Sequence, residues 1–278
     1  MNENKIKLIA FDYDGTLAQT NSLVSESEKQ ELKKLGEKGI VRVIATGRSL
    51  FSADEVMPPD LPFDYLVFSS GVGVMEWKTR KIIHYNSLKA DKAKKLSKWL
   101  ISNEHDFMLH HPVPDNHNFY FFESGRNNPD FFRRIERYKK YAIPFKNLKE
   151  FKDVSQLLIV AEKYGSEWIN KLKNEFSDLN IVRTTSPLDH KTMWIEIFPG
   201  NVSKASGIKF LAEKFGIQSN KIVTIGNDFN DLDMLSYFEH SFVVKNAPDE
   251  LKRKFKCLDC SGGTVVKELR ESLTKGSI

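Results

Sequence analysis

The sequence predicts an α/β protein in which a doubly wound parallel sheet carries a second α/β domain as an insertion. Three observations support this fold class. Short and mostly apolar runs without polar alternation, such as residues 7–11 and 40–45, are typical of strands buried on both faces of a parallel sheet. Helical patterns separate these runs, which indicates helices on both faces of the sheet. The length of 278 residues suits two domains, or one domain with a large insertion.

Composition and charge exclude several classes of protein. Hydrophobic residues at 40% and charged residues at 28% are typical of a globular chain and exclude a disordered or fibrous one. The net charge is +5, but the lysines are scattered among acidic residues, so no nucleic-acid partner is predicted. No apolar stretch approaches the roughly 20 residues that span a bilayer, and Met1 to Lys5 lack the features of a signal peptide. We therefore expect a soluble cytoplasmic protein with no membrane partner.

The two cysteines form a single C-x-x-C pair, Cys257 and Cys260. Such a pair is found in redox sites and in halves of zinc sites. No second pair of metal ligands follows it, and two ordinary thiols are expected in a reducing compartment.

The first part of the chain alternates strands and helices. The run at residues 7–11 ends in polar residues, and Ser25 with Glu28 has the spacing of a helix capping box. Further β-branched or apolar runs at 40–45 and 65–71 predict the next two strands.

The pattern changes after about Ile83, where amphipathic helices and alternating strands rich in aromatic residues begin. Within this stretch the sequence predicts helices over 86–103, 129–141 and 166–176, and strands over 119–122 and 154–162. The rhythm of the first part is expected to resume near Met193. The predicted boundaries are therefore 1–84 with 190–278 for the core and 85–189 for the inserted domain.

The last part of the chain is expected to complete the parallel sheet. The predicted elements are a helix over 203–215, a strand over 222–226, a helix over 231–236 and a final strand at 242–244. Because ligands bind at the carboxyl ends of parallel strands, we expect Asp12, Thr46 and Gly226 to lie together.

These strand ends supply the groups needed for phosphate chemistry. Asp12 and Asp14 are separated by one residue, residues 46–48 offer a hydroxyl and backbone N–H groups, and residues 226–231 offer acids and amides. Oxygen ligands without nearby histidine or cysteine suit Mg²⁺. A carboxylate can also attack as a nucleophile, provided that positive charge offsets its repulsion from a phosphate.

Lys204 is the candidate for that positive charge. It opens a predicted helix, where the helix dipole disfavours a cation by roughly 0.3 to 1 kcal/mol. Either a partner compensates for this cost or the lysine is solvated, and the local pattern leaves both alternatives open.

Residues 12–16, Asp-Tyr-Asp-Gly-Thr, resemble the first motif of the haloacid dehalogenase-like superfamily. Residues 46–48 resemble its second motif, Lys204 its third and residues 226–231 its fourth. The insertion between the second and third motifs resembles the large α/β cap of the Cof-type phosphatases, to which enzymes of the sucrose-phosphatase type are related. The resemblance implies a Rossmann-like core with a cap, and Mg²⁺-dependent hydrolysis of a small phosphorylated metabolite, such as a sugar phosphate, through an aspartyl-phosphate.

The resemblance also implies roles for individual residues. Asp12 would be the nucleophile and a metal ligand, and Asp14 the general acid and base, with its backbone carbonyl on the metal. Lys204 would neutralise the nucleophile and the phosphate. The implied substrate-binding residues are Thr46, Gly47, Arg48, Lys204 and Asn230.

The fourth motif departs from the usual pattern of the family. Asn227 stands where most members have an aspartate, so the metal ligand could be Asn227, Asp228 or Asp231. Alternatively, an aspartate of this loop caps the next helix, which we expect of at most one of Asp228 and Asp231.

Other functions remain as alternatives. A phosphomutase would share the aspartyl-phosphate but return the phosphoryl group to a sugar, and a non-catalytic protein could bind a metabolite on the same fold. The inserted domain also contains several histidines that could suggest zinc, although a strand with flanking loops explains their irregular spacing as surface or cleft residues: His105, His110, His111 and His117.

Overall fold

The computed structural model describes residues 6–18, 23–145, 152–161, 166–185, 192–259 and 264–274. The chain divides into two compact units. The first unit comprises Met1–Tyr85 and Ser203–Ile278, and the second comprises Asn86–Val202. Within the described residues, no helix has the length and apolar character that crossing a membrane requires.

The first segment of the first unit begins with the predicted buried strand. Its elements are β1 (Leu8–Phe11), α1 (Glu26–Glu37), β2 (Val41–Ala45), α2 (Leu50–Asp54), β3 (Tyr65–Phe68), β4 (Gly73–Glu76) and β5 (Lys81–Tyr85). The Ser25 hydroxyl caps α1 by accepting from the Glu28 backbone N–H at 3.2 Å. The Glu28 carboxylate does not complete the predicted capping box, because it accepts from the backbone N–H groups of Val265 and Val266.

In the part of the second unit that the structure describes, a six-stranded sheet is accompanied by three helices. Its elements are α3 (Ala90–Ser102), β6 (Phe107–His110), β7 (Phe119–Phe122), α4 (Pro129–Arg137), β8 (Ala142–Pro144), β9 (Gln156–Ala161), α5 (Ser166–Glu175), β10 (Leu179–Thr185) and β11 (Met193–Pro199). The strand order is β10-β11-β9-β6-β7-β8. The pairs are antiparallel except for β7 with β8.

The predicted boundary near residue 190 is wrong, because β11 belongs to the sheet of the second unit. It pairs with β10 and β9, so the first unit resumes at Ser203. Ile195 and Ile197 pack into the cluster that contains α3 and α5, while Trp194 packs on the opposite face with Phe131 of α4. The sequence of β11 is mostly apolar because helices cover both faces of this antiparallel sheet. A strand in a parallel sheet is also covered on both faces and therefore shows the same pattern.

The histidines of the second unit do not support the zinc hypothesis. Among the described residues, no group of three or more His, Cys, Asp or Glu side chains is placed to hold a metal ion. His110 is buried, and one ring nitrogen bonds the Asn116 carbonyl oxygen at 2.8 Å. Burial lowers the pKa of His110 to about 3.

The second segment of the first unit contains more elements than expected. They are α6 (Lys204–Phe215), β12 (Ile222–Gly226), α7 (Leu232–Tyr237), β13 (His240–Val244), α8 (Asp249–Lys254), β14 (Lys256–Leu258) and α9 (Val265–Thr274). The strand at 242–244 is not the last one, since β14 pairs with it. Cys257 is exposed on β14, and Cys260 lies outside the described residues.

The sheet of the first unit has the order β14-β13-β12-β1-β2-β3-β4-β5. Neighbours are parallel from β14 to β3, and β4 and β5 add an antiparallel edge. Leu8 of β1 pairs with Ile222 of β12 on one side and Val41 of β2 on the other. The carboxyl ends of these three central strands therefore lie side by side, as predicted, and the loops after them form one cluster.

Candidate active site

Lys204 is the centre of this cluster. It is the first residue of α6, whose start is fixed by a reciprocal capping box between Ser203 and Ser206. The side chain is buried, with Nζ donating to Asp12 Oδ1 at 2.7 Å and to Asp231 Oδ1 at 2.6 Å. The alternative of a solvated lysine is therefore wrong.

Gly71, which was not among the predicted site residues, sets the position of this helix start. It follows β3 with a φ of +100°, and a Cβ added there would lie 1.9 Å from the Ser203 carbonyl oxygen. The backbone of residue 71 thus packs directly against the residue that precedes Lys204. A Ser-Ser-Gly sequence directly after a buried strand was the available signal, since glycine is typical of close backbone approaches.

We expect Gly71→Ala to destabilise the protein and to lower its activity, because Ser203 must shift and carry Lys204 with it. Gly39→Ala is the matched control, since Gly39 also has positive φ (+72°) but no atom within 4 Å of an added Cβ. The control loses about 1 kcal/mol through backbone strain, and Gly71→Ala should lose more in urea unfolding. Equal losses in the two variants would contradict the role of the Ser203 contact.

Burial and the neighbouring charges together set the pKa values of Asp12 and Lys204 in this cluster. Burial, together with the nearby Asp231 carboxylate, raises the pKa of Asp12 to about 7, although Lys204 opposes the shift. Burial alone would lower the pKa of Lys204, but the carboxylates of Asp12 and Asp231 outweigh it and raise that pKa. Lys204 is therefore protonated and holds two carboxylates together.

Asp231 uses both of its oxygens within the protein. While Oδ1 accepts from Lys204, Oδ2 accepts from the backbone N–H groups of Asn227 at 2.8 Å and Asp228 at 3.1 Å. The Asp228 carboxylate accepts from the Phe229 N–H at 2.7 Å, and Asp228 and Asp231 form a reciprocal capping box around the short 3₁₀ helix 229–231. Both aspartates therefore cap this 3₁₀ turn, whereas α7, the next α-helix, has no side-chain cap hydrogen bond from its N-cap residue Asp231.

The side-chain amide of Asn227 faces three oxygen atoms. In the orientation that forms hydrogen bonds, Nδ2 lies 3.1 Å from both Asp12 Oδ2 and the Asp14 carbonyl oxygen, and 3.3 Å from Thr16 Oγ1. A 180° turn of the planar amide would put Oδ1 at the same place. Amide nitrogen and oxygen are distinguished by such networks of partners.

These atoms fit a magnesium site. In octahedral coordination, oxygens about 2.1 Å from Mg²⁺ lie about 2.9 Å from their neighbours, close to the 3.1 Å spacing around the Asn227 amide. The donor set is one carboxylate, one backbone carbonyl and one amide, all of which offer the hard oxygen ligands that Mg²⁺ prefers.

The carboxylate of Asp14 is paired with the guanidinium of Arg48. Arg48 Nε and Nη2 donate to the two carboxylate oxygens of Asp14, both at 2.7 Å. Gly15, with a φ of +80°, turns the chain directly after Asp14. Arg48 was expected to bind substrate, and the structure brings its guanidinium to the site as the partner of Asp14.

Thr46 and Asn230 complete the cluster. Thr46 is buried, and its Oγ1 accepts from the Arg48 backbone N–H at 3.1 Å, which leaves the hydroxyl hydrogen available to donate. Asn230 Oδ1 is buried and has no hydrogen-bond partner among the described residues. Gly47 lies between Thr46 and Arg48 in the loop after β2.

Comparisons with known proteins find likenesses along most of the chain. A family model described as haloacid dehalogenase-like hydrolase matches residues 9–259. The 5-amino-6-(5-phospho-D-ribitylamino)uracil phosphatase YwtE of Bacillus subtilis (strain 168) is 24% identical over 270 residues, which cover 90% of this chain and 91% of that protein.

Solved structures show the same fold. BT1666 from Bacteroides thetaiotaomicron, which is described among phosphatases of the haloalkanoate superfamily, matches with a TM-score of 0.78 at 21% identity, covering 99% of this chain and 96% of that one. The subclass IIB sugar phosphatase BT4131 matches with a TM-score of 0.71 at 18% identity, covering 98% and 100%. These likenesses confirm the predicted fold class.

Proposed function

The chain belongs to the haloacid dehalogenase-like hydrolases and is a phosphatase of that family, and from this premise we propose a specific reaction. It hydrolyses the phosphate ester of a small metabolite, such as a sugar phosphate, through an aspartyl-phosphate on Asp12 and with Mg²⁺ as cofactor. The observation that carries the proposal is the buried Lys204, which holds the Asp12 carboxylate at 2.7 Å at the carboxyl ends of three adjacent strands.

Asp12 is the nucleophile in this proposal. A carboxylate oxygen of Asp12 forms a bond to phosphorus while the ester P–O bond breaks and its electron pair leaves with the alcohol oxygen. Lys204 offsets the repulsion between the carboxylate and the phosphate, because its charge is buried and acts at low dielectric. Water then attacks the aspartyl-phosphate, which releases phosphate and regenerates Asp12.

Asp14 moves the protons. Its carboxyl group donates a proton to the departing alcohol oxygen and takes one from the attacking water. To do so, Asp14 must open one of its two hydrogen bonds to Arg48. A phosphoryl oxygen competes for the same guanidinium, so substrate binding at Arg48 would release Asp14 for proton transfer.

The phosphoryl oxygens have donors on the neighbouring loop. The Thr46 hydroxyl hydrogen and the Gly47 backbone N–H are the donors we assign to them, and the Asn230 side chain provides a further polar contact. A Mg²⁺ ion would be held by Asp12 Oδ2, the Asp14 carbonyl oxygen and Asn227 Oδ1, and it would supply positive charge to the transferring phosphoryl group. Asp231 and Asp228 are not proposed as direct ligands, because their carboxylates accept from Lys204 and from backbone N–H groups.

The second unit supplies selectivity in this proposal. It carries none of the four motifs, so it is free to act as the cap that contacts the leaving group of the substrate. The partner is a small phosphorylated metabolite in the cytoplasm, with neither nucleic acid nor membrane as a partner.

The test is phosphate release from an activated ester and from a panel of phosphorylated metabolites, with Mg²⁺ and with EDTA. We expect turnover that requires Mg²⁺, and a loss of about 10² to 10⁴-fold for Asp14→Asn, as removal of a general acid produces. Asp60→Asn makes the same chemical change at an exposed position and should have no effect. Turnover unchanged by EDTA would refute the metal requirement, and conversion to an isomeric sugar phosphate without free phosphate would identify a mutase.

A further inference from the structure

Asn227 occupies a position at which a carboxylate would be repelled. Its amide lies 3.1 Å from both Asp12 Oδ2 and the Asp14 carbonyl oxygen, and neither an ionised carboxylate nor a carbonyl oxygen can donate a hydrogen bond. An oxygen at this place has two acceptors as neighbours, whereas an amide nitrogen donates a hydrogen bond to each of them. With Nδ2 at this place, the protein alone satisfies the hydrogen bonding of the Asn227 amide, and no metal ion is needed.

We propose that Asn227 is a two-position ligand, whose Nδ2 satisfies Asp12 and Asp14 in the metal-free protein and whose amide turns by 180° to offer Oδ1 to Mg²⁺. The inference rests on the proposed function only in taking Mg²⁺ as the cation.

The neighbours of the amide accommodate both orientations. Thr16 Oγ1 lies 3.3 Å from the amide and can donate to Oδ1 or accept from Nδ2, because a hydroxyl serves both roles. Gly15 leaves room for the other end of the amide, since an added Cβ would lie 2.4 Å from it. The backbone N–H of Asn227 donates to Asp231 Oδ2 at 2.8 Å, so the residue stays anchored while only its side chain turns.

Two properties follow from this arrangement. The metal-free protein avoids repulsion among converging oxygens, so it should depend little on Mg²⁺ for its stability. Mg²⁺ binding must break two hydrogen bonds and gains no charge from residue 227, so it should be weaker than with an aspartate at this position. Ligand charge is a principal determinant of affinity at such sites.

The test compares the unsubstituted protein with Asn227→Asp and with a matched control, Asn246→Asp. Asn246 donates to the Gly15 carbonyl oxygen at 2.8 Å, so the control adds the same charge to the same loop cluster without facing Asp12 Oδ2. Thermal unfolding in EDTA and calorimetric titration with MgCl₂, both without substrate, are the measurements.

In EDTA we expect Asn227→Asp to lower the melting temperature by about 3 °C or more, and Asn246→Asp to change it less. With saturating Mg²⁺ the deficit of Asn227→Asp should disappear, and its affinity for Mg²⁺ should exceed that of the unsubstituted protein by at least about tenfold. Equal melting temperatures in EDTA for Asn227→Asp and the unsubstituted protein, or equal Mg²⁺ affinities, would overturn the proposal.

A second measurement does not depend on how Asn227→Asp folds. The side-chain ¹⁵N–¹H signals of Asn227, identified by their loss in Asn227→Ala, should shift on Mg²⁺ addition as the donated bonds to Asp12 and Asp14 break. Unshifted signals at saturating Mg²⁺ would also overturn it. Because neither readout uses turnover, a protein that shows this switch without phosphate release refutes the proposed reaction alone, and an active enzyme without the switch refutes this inference alone.

Discussion

Asp12→Asn is expected to abolish phosphate release, with a loss on the order of 10⁴- to 10⁶-fold, as removal of a covalent nucleophile produces. The amide is nearly the same size and can still accept from Lys204, so the variant should fold. It cannot form the acyl-phosphate, because a neutral amide lacks the nucleophilic oxygen of a carboxylate. The measurement is the initial rate of phosphate release at saturating Mg²⁺.

The same variant should not be less stable than the unsubstituted protein. The pKa of Asp12 is raised to about 7 from 3.8, so the folded state holds this proton more tightly than the unfolded state does. Ionisation of Asp12 therefore costs stability as the pH rises from about 4 to 7, and asparagine removes that cost. In EDTA, without bound Mg²⁺, we expect a melting temperature at pH 7.5 that is equal or higher. Turnover within about 10²-fold of the unsubstituted protein would contradict a covalent role for Asp12.

The parts of the fold predicted from sequence are those with local signals. Buried runs ending in polar loops identified β1, β2 and β12, and their adjacency at one edge followed from the behaviour of parallel sheets. The assignment of β11 to the core sheet was wrong, because an apolar run reports only that both faces of a strand are covered. Which sheet β11 joins depends on its pairing with β9 and β10. The apolar run itself does not encode that pairing.

The active site divides in the same way into features that the sequence predicts and features that depend on contacts between distant residues. The resemblance of the motifs to the family implied the meeting of Asp12 with Lys204, which are 192 positions apart, whereas the local pattern at Lys204 left a solvated lysine open. Their geometry was not predictable, because it depends on contacts between distant loops. Examples are the two hydrogen bonds from Arg48 to Asp14 and the close backbone approach of Gly71 to Ser203.

Lys204→Met is expected to lower both the stability and the turnover of the protein strongly. Methionine fills similar space but leaves the carboxylates of Asp12 and Asp231 buried without their shared cation. Removing one partner of a buried ion pair costs about 3 to 5 kcal/mol. Lys209→Met is the control on the same helix, because Lys209 is exposed and 3.8 Å from Glu213, and it should change stability by less than about 0.5 kcal/mol.

The pH dependence of Lys204→Met gives a further readout. Lys204 lowers the pKa of Asp12 against the effect of burial, so its removal must raise that pKa. A higher pKa means that the nucleophile is ionised only at higher pH. The acid limb of the rate profile should therefore move to higher pH, and the remaining activity should improve as the pH rises.

The double variant Lys204→Met with Asp231→Asn separates the two roles of Lys204. Replacing Asp231 removes one of the two uncompensated carboxylates, while the amide oxygen of asparagine can still accept from the backbone N–H groups of Asn227 and Asp228. Stability in urea unfolding should therefore recover in large part. Turnover should not recover, because the buried ammonium group that offsets the repulsion between Asp12 and the phosphate is still missing. If turnover returned together with stability, Lys204 would be a structural residue, and its assigned part in the reaction would be wrong.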